Sequence, residues 1–460
     1  MHIFKNKTLR RILSVLLIAA LIIGMDQALG QLLEPLTYTA CFNHDIRELE
    51  RSGTSADVIF IGASRTQRTF VPKVFEDEWG LNCVINAGSS AQPIGATYYL
   101  LKDLIERVHP DRVYIGVTIY ILPKENEDGL QPRLNVFDCL TLKNKLLMAL
   151  NCFSPKEMVY FFKSYRYNDQ LSLEQIKTNR AEKAEFMETG NFVRADNLDR
   201  YADKGFVCNS NSFASGTISV KGKTSFSADN ISPDKLKYLD ACVELCKDNK
   251  IDIALVSGVT TVARMYYCES YQDADEYYHE YAEKNGIKYY NLNYMKDRET
   301  LLPDELMADY NHTNGEGAMV ASKFFAEVIK KEENGEDISE YFYTNIDEFK
   351  KTVKRIVAVG VDAFPDEEQE NLLHINITSL QNDDVHPKYR VLIREQSEEE
   401  YTVAQDWTSE RELEIEIGDA TWYFIKVEAV AEDPSIGTAS HEYVYETGRN
   451  CILYDTSYLL

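Results

Sequence analysis

Apolar positions follow three rhythms along the 460 residues of this chain. The first is a block. Residues 12–25 carry no charge, and Lys5, Lys7, Arg10 and Arg11 precede them. The second runs from about residue 57 to 331, where short apolar runs alternate with stretches of helical spacing. The third starts at Lys354, where apolar and polar residues alternate one by one. Each rhythm predicts a different structure, because a helix repeats near 3.6 residues and a strand every two.

In the middle region the apolar runs 57–62, 83–86, 112–117, 251–256 and 287–292 predict strands. Residues 94–108 place Tyr98, Leu101, Leu104 and Ile105 on one helical face and stop before His109-Pro110. Helices are also expected over 42–51, 233–249, 273–285 and 314–331. Strands alternating with helices predict a parallel sheet. Five of them fit the flavodoxin-like order 2-1-3-4-5, an α/β three-layer sandwich filling residues 31–335.

Residues 121–230 interrupt this pattern between the third and fourth strands. Their first part is helical and aromatic, as in 158–167, and their last part is rich in Ser, Asn and Gly. Such an insertion reads either as a lid or substrate surface at the active edge or as a subdomain that only adds stability. After the charged break 332–337, a further helix is expected over 338–352. The period-two region 354–460 then predicts a small β-sandwich module. Its strands are expected around 357–361, 373–377, 389–393, 413–417 and 422–429.

The N-terminal block has two readings. As a helix it spans roughly 21 Å, less than a ~30 Å bilayer core. Ala28-Leu29-Gly30 offers small residues for signal cleavage. An uncleaved anchor over residues 1–30 would let Arg10 and Arg11 snorkel and set Asp26 at the far interface. Either way the remainder lies outside the cytoplasm, as a secreted protein or behind a single-pass anchor in the cell membrane, because the positive flank stays inside.

The charge balance is 49 − 74 = −25, which argues against nucleic acid or an anionic membrane surface as the main ligand. The nine Cys are scattered singly, so neither a disulfide framework nor a zinc spacing emerges, and no metal site is expected. The close pair Cys242 and Cys246 has helical spacing and reads as buried thiols.

Chemistry enters at the first strand. The run Asp57-Val-Ile-Phe-Ile-Gly-Ala-Ser-Arg-Thr66 delivers Ser64 to the C-terminal edge of the sheet, where open α/β folds place their sites. A serine hydroxyl needs a base to take its proton, commonly a histidine oriented by a carboxylate. Of eight His, only His312 falls on a loop leaving the last strand at that same edge. Asp309 lies three residues before it and can accept the imidazole Nδ1–H. Thr313-Asn-Gly-Glu316 has the form of a capping box with Thr313 as N-cap. The oxyanion would be met by the backbone N–H groups of Ser64 and of Gly88, which follows the second strand. Asn86 either braces the Gly88 loop or donates toward the oxyanion. Arg65 either binds an anionic substrate group or ties down the nucleophile turn.

Gly62-x-Ser64, Gly88 and Asp309-x-x-His312, in this order on this α/β pattern, resemble the SGNH/GDSL hydrolase superfamily. Within it the chain is similar to the membrane-anchored, extracytoplasmic branch, whose members take part in teichoic-acid D-alanylation and exopolysaccharide O-acetylation. The resemblance covers residues 55–332. It implies a serine esterase or O-acyltransferase that acts on a cell-envelope polysaccharide or acylated polymer, with no cofactor. It also implies an alternative, a non-catalytic scaffold for glycan binding or envelope assembly. An envelope protein partner would be met through the C-terminal module, in which residues 389–423 resemble fibronectin-like modules. One departure stands out. Where the superfamily has a third-block Asn donating to the oxyanion, this chain has Val117-Thr118-Ile119-Tyr120. Thr118 either donates through its hydroxyl or leaves that donor missing.

Overall fold

The structure is a computed structural model that describes residues 7–124, 128–193, 199–212, 226–268, 270–369, 371–433, 435–449 and 451–453. The chain opens with α1 (Lys7–Leu33), whose residues 11–33 are long and apolar enough to cross a membrane. Then come α2 (Tyr38–Ser52), β1 (Val58–Gly62), α3 (Ser64–Thr69), α4 (Pro72–Trp79), β2 (Val84–Gly88), α5 (Ile94–Val108) and β3 (Arg112–Gly116). The insertion holds α6 (Leu130–Cys139), α7 (Leu142–Cys152), α8 (Lys163–Arg166) and α9 (Leu173–Thr189). It ends in a small antiparallel sheet of β4 (Phe192–Val193), β5 (Asp199–Asp203) and β6 (Phe206–Asn209). Most of its Ser-, Asn- and Gly-rich tail lies outside the described residues. The α/β pattern resumes with α10 (Pro233–Asp248), β7 (Asp252–Ser257), α11 (Val262–Tyr267), α12 (Tyr271–Asn285), β8 (Lys288–Asn291), α13 (Arg298–Leu301) and α14 (Gly315–Glu333).

The main sheet is parallel, with order β2-β1-β3-β7-β8. In terms of its own five strands this is 2-1-3-4-5, the order expected from the alternation of runs and helices. Every residue of β1 is buried, because helices cover both faces. Ile59 and Ile61 face one layer with Ile85, Leu101, Leu104 and Ile115. Phe60 faces the other, stacked on Phe70 at 4.3 Å and on Tyr114 at 5.1 Å between ring centroids. Each such buried side chain stabilises the fold by roughly 1.5–3 kcal/mol. That packing holds the C-terminal end of β1, and so the start of α3, in a fixed place.

The insertion covers the free edge at β2. The Asn86 N–H donates to the Lys204 carbonyl at 2.9 Å. Gly205 sits at φ +96°, and a Cβ there would come within 1.8 Å of the Asn86 carbonyl oxygen. Only glycine fits this approach. This contact pairs one of the edge strand's open backbone donors and packs the insertion against it.

The second half of α1 is packed into the insertion. Buried Asp26 accepts the N–H groups of Lys163 and Ser164, at 3.0 and 2.9 Å, at the start of α8. Asn179 Nδ2 of α9 donates to the Leu33 carbonyl at 2.9 Å. Asp26 therefore sits within protein contacts at this end of α1.

Two expected elements differ. The helix expected over 338–352 is reduced to α15 (Ile346–Lys350). Upstream of it Tyr343 N–H donates to the Tyr294 carbonyl at 2.7 Å, and Met295 bridges to Phe342. That extended pairing starts the helix late, at the Asn345 N-cap. In front of α14 the N-cap is Asn314, whose side chain accepts the Gly317 N–H, and not Thr313. The Thr313 hydroxyl instead donates to the Arg68 carbonyl at 2.6 Å.

The remainder is two antiparallel sheets facing each other. β9 (Ile356–Pro365), β10 (Leu372–Gln381) and β13 (Glu412–Glu416) form one. β11 (Pro387–Glu395), β12 (Thr402–Thr408), β14 (Trp422–Ala431), β15 (Ala439–Glu446) and β16 (Cys451–Leu453) form the other. Burial alternates strictly along β14, the signature of one wet face and one core face. The module is fastened to the α/β domain. Val357 and Ala358 share a core with Phe349 and Tyr294. Arg355 pairs with Glu299 at 2.6 Å and Asp304 at 2.9 Å.

Candidate active site

Ser64 is the first residue of α3, directly beyond β1. As an opening helical residue its backbone N–H has no intrahelical acceptor. Its side chain meets a loop from the far end of the domain. Ser64 Oγ lies 2.8 Å from His312 Nε2. His312 Nδ1 lies 2.8 Å from both carboxylate oxygens of Asp309. With the proton on Nδ1 donated to Asp309, Nε2 is left as an acceptor for the Ser64 hydroxyl. Burial pushes the Asp309 carboxyl up, but the bonds from His312 and from the Asn311 N–H outweigh it and hold it below the usual carboxylate range. Residues separated by 248 positions in sequence are thus brought into one hydrogen-bonded line.

Both ends of that line are held. Ser322 of α14 donates to the Thr69 carbonyl at 2.9 Å and accepts the Val71 N–H at 2.8 Å, which fixes the end of α3. The Thr313–Arg68 bond ties the histidine loop directly to α3. The loop itself closes through Ala308 N–H to the His312 carbonyl at 2.8 Å. The Asn311 N–H donates to Asp309 Oδ1 at 2.8 Å. The carbonyl of Tyr310, between the acid and the base, is gripped by Thr260 and Thr261 on the loop after β7.

The other expected site residues are placed differently. The Gly88 N–H donates to Asn86 Oδ1 at 3.0 Å, so it is turned into its own loop rather than held free for an oxyanion. Asn86 is fully buried, and its Nδ2 donates to the carbonyls of Phe70 at 2.7 Å, Thr66 at 3.0 Å and Gln67 at 3.2 Å. It braces the α3 segment, and its donors are spent there, so the reading in which it donates to substrate does not hold. A Cβ on Gly88 would lie 2.5 Å from the Gln67 nitrogen, so the glycine is required by this close approach. Arg65 is buried, with its guanidinium 3.3 Å from Asn311 Oδ1 and burial pushing its pKa down. Its placement matches the tie to the nucleophile turn and not an open contact to an anionic substrate group. Thr118 follows β3. Its Oγ1 accepts the Tyr120 N–H at 3.3 Å and keeps its own hydrogen to donate.

Sequence reasoning passed over Thr260, Thr261, Asn293 and Ser322. The pair at 260–261 had one legible signal, its place just after an apolar run at the active edge. Ser322 had none, since it sits within a helix.

No protein-family model matches this chain, and no curated protein matches it. Among solved structures it is similar to a GDSL-like lipase from Bacteroides thetaiotaomicron VPI-5482, at 14% identity, covering 63% of this chain and 99% of that one, with TM-score 0.28. It is also similar to a protein from Desulfitobacterium hafniense DCB-2 assigned to the G-D-S-L family as lipolytic, at 12% identity over 59% of this chain and 97% of that one, TM-score 0.27. A gut microbial diltiazem-metabolizing enzyme is similar at 10% identity over 82% of this chain and 57% of that one, TM-score 0.28. Chemistry for this chain rests on its own residues and not on these likenesses.

Proposed function

From a sheet of SGNH/GDSL hydrolase type with Ser, His and Asp gathered at its C-terminal edge, we propose that the chain is a serine ester hydrolase or O-acyltransferase. The observation that carries this is the 2.8 Å spacing at both His312 nitrogens, to Ser64 and to Asp309. His312 takes the Ser64 proton as Oγ attacks an ester carbonyl. The tetrahedral oxyanion is met by the Ser64 N–H, with the Thr118 hydroxyl as the second donor. His312 then returns the proton to the leaving alcohol, and an acyl-serine remains. Water or a second hydroxyl, activated by His312 in turn, takes the acyl group.

The finer reading is an anchored, extracytoplasmic enzyme acting on a cell-envelope glycan or acylated polymer. The basic flank followed by an exposed apolar helix supports an anchor. The packing of Asp26, Gln31 and Leu33 against α8 and α9 supports its retention, because cleavage at 28–30 would remove Asp26 from α8. A second reading, a non-catalytic scaffold, is favoured by one observation: the Gly88 N–H is closed onto Asn86. A fluorophosphonate probe on the full-length protein in detergent separates the two. The enzyme labels at Ser64, and labelling is lost in Ser64→Ala and His312→Ala. A folded wild type that stays unlabelled speaks for the scaffold.

A further inference from the structure

The histidine loop is short, polar and partly exposed, yet one of its atoms is held by more donors than its chemistry requires. The Tyr310 carbonyl oxygen receives the Thr260 hydroxyl at 2.8 Å, the Thr261 hydroxyl at 3.0 Å and the Thr261 N–H at 3.1 Å. A carbonyl oxygen has two lone pairs, so three donors exceed ordinary satisfaction. Both threonines are fully buried. Their own positions are set from below. Thr260 N–H donates to Asn293 Oδ1 at 2.8 Å, and Arg298 donates to the Thr260 carbonyl. Asn293 is itself fully buried and donates to the Gly258 carbonyl at 3.0 Å. Thr261 also caps α11, accepting the Arg264 N–H at 3.2 Å.

We infer that Thr260 and Thr261 are positioning residues for the catalytic base: by clamping the Tyr310 carbonyl they hold Asp309 and His312 in register with Ser64. The inference rests on the esterase reading given above. Tyr310 has Asp309 on one side, with Asn311 and His312 on the other, so rotation of its peptide would carry acid and base apart. The loop's ties from Thr313 to the Arg68 carbonyl and from Asn311 to Arg65 run to the α3 segment, whereas the threonines hold the peptide between acid and base. Near-attack geometry is steep in distance, and a misplacement of about 1 Å can cost about 10²-fold in rate. The clamp acts through a backbone atom and is therefore indifferent to the side chain at position 310.

The test uses full-length protein in detergent and p-nitrophenyl acetate as the probe. Thr260→Val and Thr261→Val keep the branched shape and remove one hydroxyl each. Singly they leave at least two donors, and kcat is expected to fall about 2- to 5-fold; together they leave one, and the fall is expected to reach about 10²-fold. KM stays within about 3-fold, and the Thr260→Ser/Thr261→Ser protein recovers most of kcat. A double-valine protein with wild-type kcat, or one whose loss lies in KM, overturns the inference. If the double variant fails to fold, the single variants and the serine pair carry the comparison. Hydrogen exchange of the peptide 306–314 gives an answer that does not depend on turnover. Faster exchange in the valine variants supports the clamp, and unchanged exchange overturns it. Wild type that is inert to both p-nitrophenyl acetate and the fluorophosphonate sinks the esterase reading and leaves the clamp to be decided by exchange alone.

Discussion

Two loops meet Ser64 at the same sheet edge, and they spend their polar groups in opposite directions. The loop carrying Asp309 and His312 is fastened through the Tyr310 carbonyl and the Thr313 hydroxyl, and it leaves the Asp309 and His312 side chains for the serine. The loop carrying Gly88 is fastened by a side chain, Asn86, which takes up the Gly88 N–H. The first arrangement frees a base. The second stabilises the nucleophile segment but commits a backbone donor. A hydrolase needs both a base and an oxyanion site, and each loop's rigidity comes from a different account of hydrogen bonds. The contrast locates the functional question in the oxyanion donors and not in the acid–base line.

The largest expected effect breaks the first loop. Asp309→Asn would lower kcat on the order of 10²- to 10⁴-fold, since the amide cannot hold the imidazole with its proton on Nδ1. Hydrolysis of p-nitrophenyl acetate measures this, and a loss under 10-fold would show that Asp309 does not orient the base. The same residue has a signature in pH. Its carboxyl is held below the usual range in the fold. Its contribution to stability is therefore present above the unfolded carboxylate pKa and is lost as pH falls through the lower folded value. Asp309→Asn should lack that component, so in urea unfolding its stability is lower near neutrality and falls less as pH drops through the carboxylate range.

A smaller effect breaks the second loop. Asn86→Ala strands the carbonyls of Phe70 and Thr66 and should cost about 2–4 kcal/mol in urea unfolding of the full-length protein. A cost below about 0.5 kcal/mol would mean that Asn86 does not carry the α3 segment. The smallest effect sharpens the comparison. Thr118→Asn introduces a side-chain N–H donor after β3. If the oxyanion site is short of a donor, kcat should rise up to about 10-fold. If the rate is flat or lower, donation after β3 is not what limits this protein.

Much of the fold was readable because its signals are local. The helix at 94–108 matches its prediction at both ends, since its apolar face is regular and His109-Pro110 stops it. The strand order followed from the alternation of strands and helices and its fit to the flavodoxin-like order. The Ser64, His312 and Asp309 candidates came from counting which polar residues fall on loops at one edge. What escaped depends on partners far away in sequence. Thr313 reads as a cap, but its hydroxyl finds the Arg68 carbonyl and the capping passes to Asn314. The helix expected at 338–352 is shortened because 342–343 pair with 294–295. Gly88 reads as a free backbone donor, but the same Asn86 that braces α3 also captures its N–H.

By itself the sequence determined the elements, their order in the sheet and the residue types available at the active edge, because hydrophobic periodicity and turn chemistry act over a few neighbours. Only the tertiary structure decided which polar groups are free. Whether an N–H or hydroxyl remains for a substrate depends on every acceptor packed around it, and those acceptors come from β2, α3, α14 and the histidine loop at once. The same packing that puts His312 against Ser64 closes Gly88 onto Asn86.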